Sequence, residues 1–270
     1  MKAKDIFFLL GLRPRPRTYG YTVNTFNLPG EGPVEYAQWN HPNETRKVLT
    51  QSSVDELRRF LKPGDVAIDV GAHTGDTSIP MALSIGKSGC VLALEPNPYV
   101  FAVLRKNSGL NQEKTNVIPL NFAATSTDGE FTFEYSDAGF CNGGLHEGIS
   151  KWKHGHAFQL KVTGKNLPDF LHREHSGLIP RIRFIKVDAE GYDFTILQSL
   201  SALIAGVKPY IKAEVFKRTD RASRVKMYQF LVNLGYEIYR VESDSNYRGE
   251  RLHENDLTSR RHYDIFCVPA

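Results

Sequence analysis

Cysteine is scarce in this sequence: Cys90, Cys141 and Cys267 lie far apart and are odd in number. No CxxC pair and no Cys/His run at metal-ligand spacing occurs, which argues against a disulfide scaffold and a zinc knuckle and for a reducing compartment. Long hydrophobic runs are missing too. Nothing approaches the roughly 18 apolar residues of a membrane-spanning helix. The apolar stretch at residues 6–12 is at the lower limit for a secretory signal and lacks a small-residue cleavage site. A cytoplasmic protein is expected, with peripheral contact to a membrane surface left open. The sequon Asn43-Glu44-Thr45 is expected to be a chance match, since it matters only in a secreted chain. Neither sign of charge dominates: 34 Lys and Arg oppose 30 Asp and Glu, a net +4. The strong basic stripe of a nucleic-acid-binding domain is not suggested, and no nucleic-acid partner is expected. Repeats and low-complexity tracts are lacking. What remains is a 270-residue chain, 41% hydrophobic and 24% charged, of ordinary globular composition.

Residues 1–62 read as an N-terminal extension or cap, and residues 63–270 as the main domain. In the first, residues 18–28 are rich in Tyr, Phe, Val and Thr and predict one or two strands. Pro29-Gly30 and Gly32-Pro33 read as turns. Ser53 is expected to cap a helix carrying Val54, Leu57, Phe60 and Leu61 at helical spacing. In the second, residues 66–70, 90–94 and 117–120 predict strands. Between them, Asp76 is expected to cap one helix, and Asn97 another with Pro98 at its first position. This strand–helix–strand rhythm is that of a parallel sheet with helices on both faces, a doubly wound α/β fold. Residues 125–183 break it. Phe131, Phe133 and Tyr135 alternate as in a strand, residues 158–162 predict another, and residues 136–150 form a glycine-rich loop. That loop, with Phe140 and Trp152 near it, reads as a lid or as a plain surface excursion. Strands then resume at 184–187, 210–215, 236–241 and 263–268, with helices marked by Phe194, Leu197 and Leu200 and by Val225, Tyr228, Leu231 and Val232.

The run Asp69-Val70-Gly71-Ala72-His73-Thr74-Gly75 falls between a strand and a helix. Its glycines permit a tight turn and close approach to a ligand. The spacing is GxxxG, so neither the dinucleotide fingerprint nor a phosphate-binding P-loop is present. Asp69 and Asp76 flank the turn and would repel a pyrophosphate, which wants bare amides at a helix N-terminus. A ligand with an ammonium and no phosphate suits them better, and S-adenosylmethionine (SAM) is such a ligand. Glu95 ends the next strand, where such folds place an acid on a ribose diol.

The runs VAIDVGAHTG, VLALEPNPYVFAVLRKN, VIPLNFAATSTDGEFTF and FIKVDAEGYDFTILQSL together resemble the FkbM-type SAM-dependent methyltransferases over residues 54–216. The resemblance implies a class I methyltransferase fold, a seven-stranded, mostly parallel sheet with an antiparallel last strand. It implies methyl transfer to a hydroxyl, often on a sugar or natural-product scaffold, and so a small-molecule or glycan partner. Carried over by position, Asp69, Gly71, Ala72, His73 and Gly75 would line the methionine end of SAM. Glu95 would hold the ribose, with Pro96 and Asn97 beside it, and Asn121, Phe122 and Ala123 would flank the adenine. His73 departs from the asparagine common in the family.

Asp188 and Glu190, in Lys186-Val187-Asp188-Ala189-Glu190-Gly191, are the candidate bases, with Glu214 on the neighbouring candidate strand. Alternation puts Lys186, Asp188 and Glu190 on one side, and Lys212 and Glu214 repeat the pattern. A carboxylate that takes the proton of an alcohol as it attacks would contribute about 10²–10⁴-fold. A structural ladder of Lys–carboxylate pairs is the alternative. The same three acids could instead chelate Mg²⁺, which is not favoured, and no metal site is assigned. His73 is a second candidate base. Asp193 reads as a helix-start acid acting on the dipole. His154-Gly155-His156 reads as loop. Lys217, Arg218, Arg221, Arg224 and Lys226 read as a solvated helix face, with contact to an anionic acceptor as the alternative. Three other readings are carried: a methyltransferase acting on another acceptor class, a SAM-binding module without catalysis, and a nicotinamide oxidoreductase on the same sheet.

Overall fold

The computed structural model describes residues 17–135, 143–144 and 158–270. The glycine-rich loop other than Gly143 and Gly144, and Cys141, Trp152, His154 and His156, lie outside the described residues, as does the tail through residue 16.

Strand β1 (Tyr21–Leu28) folds back on β2 (Gly32–Trp39) as an antiparallel hairpin, registered from Tyr21 opposite Trp39 to Leu28 opposite Gly32. Gly32-Pro33, expected to be a turn, opens the second strand instead. Gly32 takes φ +73° and closes the bend, and Val34 and Tyr36 supply the buried alternation. Helix α1 (Gln51–Arg58) follows. Its cap is Thr50, whose side chain accepts from the Ser53 amide, rather than Ser53 itself. Val54, Leu57, Phe60 and Leu61 are buried as their spacing required.

The main domain runs β3 (Val66–Val70), α2 (Ser78–Ile85), β4 (Cys90–Leu94), α3 (Pro98–Gly109) and β5 (Val117–Leu120). It continues, after the 123–181 segment, with β10 (Ile182–Val187), α5 (Asp193–Ser199), α6 (Ser201–Val207), β11 (Tyr210–Val215), α7 (Arg221–Asn233), β12 (Tyr236–Arg240) and β13 (Tyr263–Pro269). Asn97 caps α3 as expected, accepting from the Tyr99 amide at 3.0 Å. Asp76 caps nothing: α2 begins after Thr77 without a side-chain cap. Its carboxylate instead meets Lys47 at 3.1 Å.

Seven strands form one sheet in the order β12-β13-β11-β10-β3-β4-β5. Strands β10, β11, β3, β4 and β5 are mutually parallel, and the last strand, β13, is antiparallel to both β11 and β12. This is the class I methyltransferase fold with its antiparallel last strand. One core lies where α5, α6 and α7 cover Val66, Ile68, Val70 and Ile185. The other lies where α1, α2 and α3 cover Ala67, Val91, Ala93 and Phe184 on the opposite face. The hairpin's Val34 and Tyr36 belong to the second core. Residues 123–181 carry a second sheet, ordered β6-β9-β7-β8. It is made of β6 (Ala123–Thr125), β7 (Gly129–Tyr135), β8 (Gly143–Gly144) and β9 (Phe158–Asn166), and helix α4 (Leu167–Glu174) follows. Strand β6 is too short to show in the sequence; α4 was not expected either, although Asn166 caps it, accepting from the Asp169 amide at 3.0 Å, with Pro168 in its first turn and Leu167, Phe170 and Leu171 on its buried face.

Candidate functional site

The carboxyl ends of β3, β4, β5 and β10 lie side by side, the edge at which open α/β sheets take ligands. The loop after β3 is tightly wound, with positive φ at Gly71 (+76°), His73 (+50°) and Gly75 (+94°). A Cβ on Gly71 would stand 2.0 Å from the Asp188 carbonyl oxygen, so the neighbouring strand demands glycine here whatever binds above. At Gly75 the added carbon would meet Leu104 at 3.0 Å, a helix-packing constraint. The loop amides are already committed. Gly71 and Ala72 donate to the Leu94 carbonyl at 3.1 and 2.9 Å, and His73 donates to Glu95 Oε2 at 3.0 Å. A pyrophosphate would find no free amide cradle among these three.

Glu95 is buried at the end of β4, its Oε1 accepting from the Asn97 amide at 2.9 Å. Each oxygen thus takes one backbone donor and keeps a lone pair for a further one. Burial pushes its carboxyl up to about 7, against the two amide bonds and Lys186. Asn121 braces this corner from the exposed side, donating to the Glu95 and Pro96 carbonyls at 2.8 and 3.2 Å.

Beneath the cleft runs an ionic floor. Lys186 stands opposite Asp69 in the parallel register of β10 and β3. Its ammonium lies 3.2 Å from Asp69 Oδ1 and 3.4 Å from Asp188 Oδ2, and donates to the Gly71 carbonyl at 3.2 Å. Burial opposes the charge, but Asp69, Asp188 and Asp76 more than offset it and hold the ammonium's pKa above its usual value. Asp69 is fully buried and takes a 2.6 Å bond from Ser78 Oγ. It organises the floor from below and does not face the cleft. The ladder expected between Lys186 and its neighbouring acids therefore exists, but its main rung crosses to β3. Lys212 pairs with Asp264 and Asp244 at 3.2 and 3.4 Å.

After β10 the chain makes a strained turn: Glu190 has φ +52° and Gly191 +104°. Asp193 clips it, accepting from the Ala189 amide at 3.1 Å and the Gly191 amide at 3.0 Å. Its role is thus more specific than a helix-dipole charge. Asp188 and Glu190 project from this turn into the cleft. The Glu190 carboxyl is raised, first by burial and then by Asp188.

The cleft has two parts that share lining residues. An inner one has apolar walls that include Leu94, Phe122, Ala123, Phe133 and Ile196. An outer one is polar, with His73, Asp76, Asn97 and Lys186 in its lining. Gly71, Glu95, Tyr135, Asp188 and Glu190 line both. Of the sequence candidates, Gly71, His73, Glu95, Pro96, Asn97, Phe122, Ala123, Asp188 and Glu190 line this cleft. Asp69, Ala72 and Gly75 lie behind it. Glu214 is not brought there: it lines a separate groove with Glu190 and pairs with His262 at 2.9 Å. His73 sits against Glu44, with Nε2 3.5 Å from the carboxylate. Burial lowers its pKa.

Residues 43–47 of the N-terminal extension form one wall of the outer cavity through Asn43, Glu44, Thr45 and Lys47. Sequence reasoning missed these, along with Tyr135, because only tertiary packing brings them in. Asn107 shows how: fully buried, it bonds both backbone groups of Ala37 and the Thr74 carbonyl, at 2.6, 3.0 and 2.7 Å. That stitches β2 to the glycine loop. Among the described residues, no group of three His, Cys, Asp or Glu side chains is disposed to hold a metal ion. None of the described helices is long and apolar enough to cross a membrane.

The sequence profile described as "Methyltransferase FkbM domain" matches residues 69–238. The hexuronic acid methyltransferase AglP of Haloferax volcanii is 26% identical over 196 residues, 72% of this chain and 74% of that protein. A fibrillarin-like rRNA/tRNA 2'-O-methyltransferase of Thermococcus gammatolerans is 30% identical over 119 residues, 44% of this chain and 48% of the relative. This chain therefore spans about half of that relative. A crystal structure of methyltransferase FkbM from Methylobacillus flagellatus superimposes with a TM-score of 0.47 at 14% identity, over 78% of this chain and 44% of that one.

Proposed function

This chain belongs to the methyltransferase FkbM domain family, and from that premise we propose that it transfers the methyl group of SAM to a hydroxyl of a sugar or glycan. The enzyme class, a SAM-dependent methyltransferase, follows from the family itself. The observation that carries the finer reading is that Glu95, just after β4, lines the same cleft as Asp188 and Glu190.

The residues suit the cofactor. Apolar walls at Phe122, Ala123 and Phe133 suit an adenine, and the spare lone pairs of Glu95 suit two ribose hydroxyls. Asp76 and Asp188 in the outer cavity suit an ammonium and a sulfonium. The bound cofactor supplies an electrophilic methyl on sulfur. The chain's own part is to align the acceptor oxygen, which is a proximity effect, and to receive its proton. Glu190 is the base in this reading. Burial and Asp188 raise its proton affinity, which is what a general base for an alcohol needs. Lys186 neutralises Asp69 and steadies Asp188, and Asp193 holds the turn that aims both acids.

A hexuronic acid methyltransferase among the relatives supports a sugar acceptor. The fibrillarin-like relatives favour a second reading, a ribose 2'-hydroxyl of RNA, and leave the expected exclusion of nucleic acid without support. Incubation with methyl-labelled SAM and three acceptors separates these: methyl hexopyranosides, methyl hexuronides and an RNA oligonucleotide. Label on a sugar is the expected result. Label on the RNA alone would replace the reading with the second one. No transfer to any of them, by folded protein that binds SAM, would contradict both.

A further inference from the structure

Beside the cleft lies a second groove, between the turn after β10 and the loop joining β11 to α7. Strands β10 and β11 are neighbours, so the groove opens at the same sheet edge. Glu190 lines it and both parts of the cleft. A molecule in the groove and one in the cleft would therefore meet at this carboxylate. The groove's unsatisfied polar group is Glu214, which is 6% exposed. Its Oε1 lies 2.9 Å from His262 Nε2, and its Oε2 is buried with no hydrogen-bond partner among the described residues. A buried oxygen in that state calls for a partner from outside the chain. Burial, and then Asp188, Asp193, Glu190 and Asp264, push the Glu214 carboxyl up to about 9. At neutral pH it holds a proton, so it is a donor as well as an acceptor.

The remaining charges decide what fits beside it. Asp193 is spent on the Ala189 and Gly191 amides. Asp220 caps α7, accepting from the Ser223 amide at 2.7 Å. Against these acids the described lining holds one arginine, Arg218, which is itself engaged. A carboxylate or phosphate would meet Glu190, Asp193 and Asp220 with no unengaged cation in that lining to receive it. An ammonium would be left with Glu190, whose charge Lys217, His262 and Arg218 already offset. A hydroxyl has neither difficulty. It both donates and accepts, so it satisfies Glu214 Oε2 whichever oxygen of that carboxyl carries the proton. It also gives Glu190 the donor that an ionised carboxylate takes. Tyr192 and Phe216 add aromatic faces to the same lining. Such faces are electron-rich, and the C–H side of a pyranose ring packs on them.

We propose that this groove is the acceptor site and that it takes an uncharged sugar, with the hydroxyl to be methylated on Glu190 and a second hydroxyl on Glu214. Glu214 is thereby a positioning residue for the acceptor and not the base. The inference rests on the methyltransferase reading. It goes beyond it by placing the acceptor in the groove next to the cofactor cleft and by fixing the acceptor's charge.

The test uses the full chain saturated with S-adenosylhomocysteine, titrated by calorimetry with the methyl glycosides of glucose, galactose and mannose. Each is compared with its uronic acid and its 6-amino-6-deoxy counterpart, so that only the charge at one carbon changes. At least one parent glycoside should bind about tenfold or more tighter than both of its charged counterparts. Glu214→Gln, which keeps a donor and an acceptor without a charge, should hold that glycoside within about threefold, whereas Glu214→Leu should weaken it about tenfold or more. Thr195→Trp, which fills the groove at a position outside the cleft, should abolish sugar binding. In all three variants S-adenosylhomocysteine affinity should stay within about twofold, which also reports that they are folded. Binding of none of the sugars, or a charged sugar binding as tightly as its parent, would overturn the proposal. So would sugar affinity surviving in Glu214→Leu or in Thr195→Trp. Failure of the wild type to bind S-adenosylhomocysteine would instead bring down the methyltransferase reading on which it rests.

Discussion

Replacing Lys186 by Met tests how the cleft floor is held together. The substitution keeps the volume and removes the charge facing Asp69, which is 0% exposed and otherwise bonded only to Ser78 in this floor. A buried carboxylate stripped of its cation costs about 3–5 kcal/mol. Out of a total stability of about 5–15 kcal/mol, the loss is large. Urea unfolding of variant and wild type at pH 7 measures it. A loss below about 1 kcal/mol would refute the reasoning. Adding Asp69→Asn to Lys186→Met should recover most of the loss, because the orphaned charge is then gone.

Gly71→Ala places a Cβ 2.0 Å from a backbone oxygen at φ +76°. It should cost about 3 kcal/mol or more by denaturant unfolding, and SAM affinity should fall as Asp188 is displaced. Asn107→Ala strands three buried backbone groups and should lose about 2–4 kcal/mol in the same assay. With the Glu95 carboxyl pushed up to about 7 by burial, its diol-accepting form is lost in acid. SAM should bind about tenfold more weakly at pH 6 than at pH 8 by calorimetry, and Glu95→Gln should flatten that dependence.

Elements set by local chemistry were legible in the sequence. The seven main-sheet strands were found within two residues of their ends, because buried β-branched runs between turn residues leave few alternatives. The Asn97-Pro98 helix start was read correctly because cap chemistry is local. Strand β2 was missed because Gly32-Pro33 carries a turn signature although it opens the strand. Asp76 has the type and position of a cap, yet Lys47, distant in sequence, claims it. Glycine spacing located the tight loop after β3 but not depth within it. The sequence could not reveal that Asp69 faces down toward Lys186, or that Gly71 is required by the Asp188 carbonyl. The wall at residues 43–47 is a product of long-range packing, and so is buried Arg224, expected on a solvated helix face but donating to the carbonyls of Phe216, Thr219, Leu257, Arg260 and Arg261; no local pattern encodes either.

The most direct test is calorimetric titration of the purified protein with SAM and S-adenosylhomocysteine, in wild type and in Glu95→Ala. Micromolar binding of both ligands is expected, weakened about a hundredfold or more in the variant as two charge-assisted bonds to the ribose are lost. Absence of binding to folded wild-type protein, or undiminished affinity in Glu95→Ala, would contradict the assignment of the cleft.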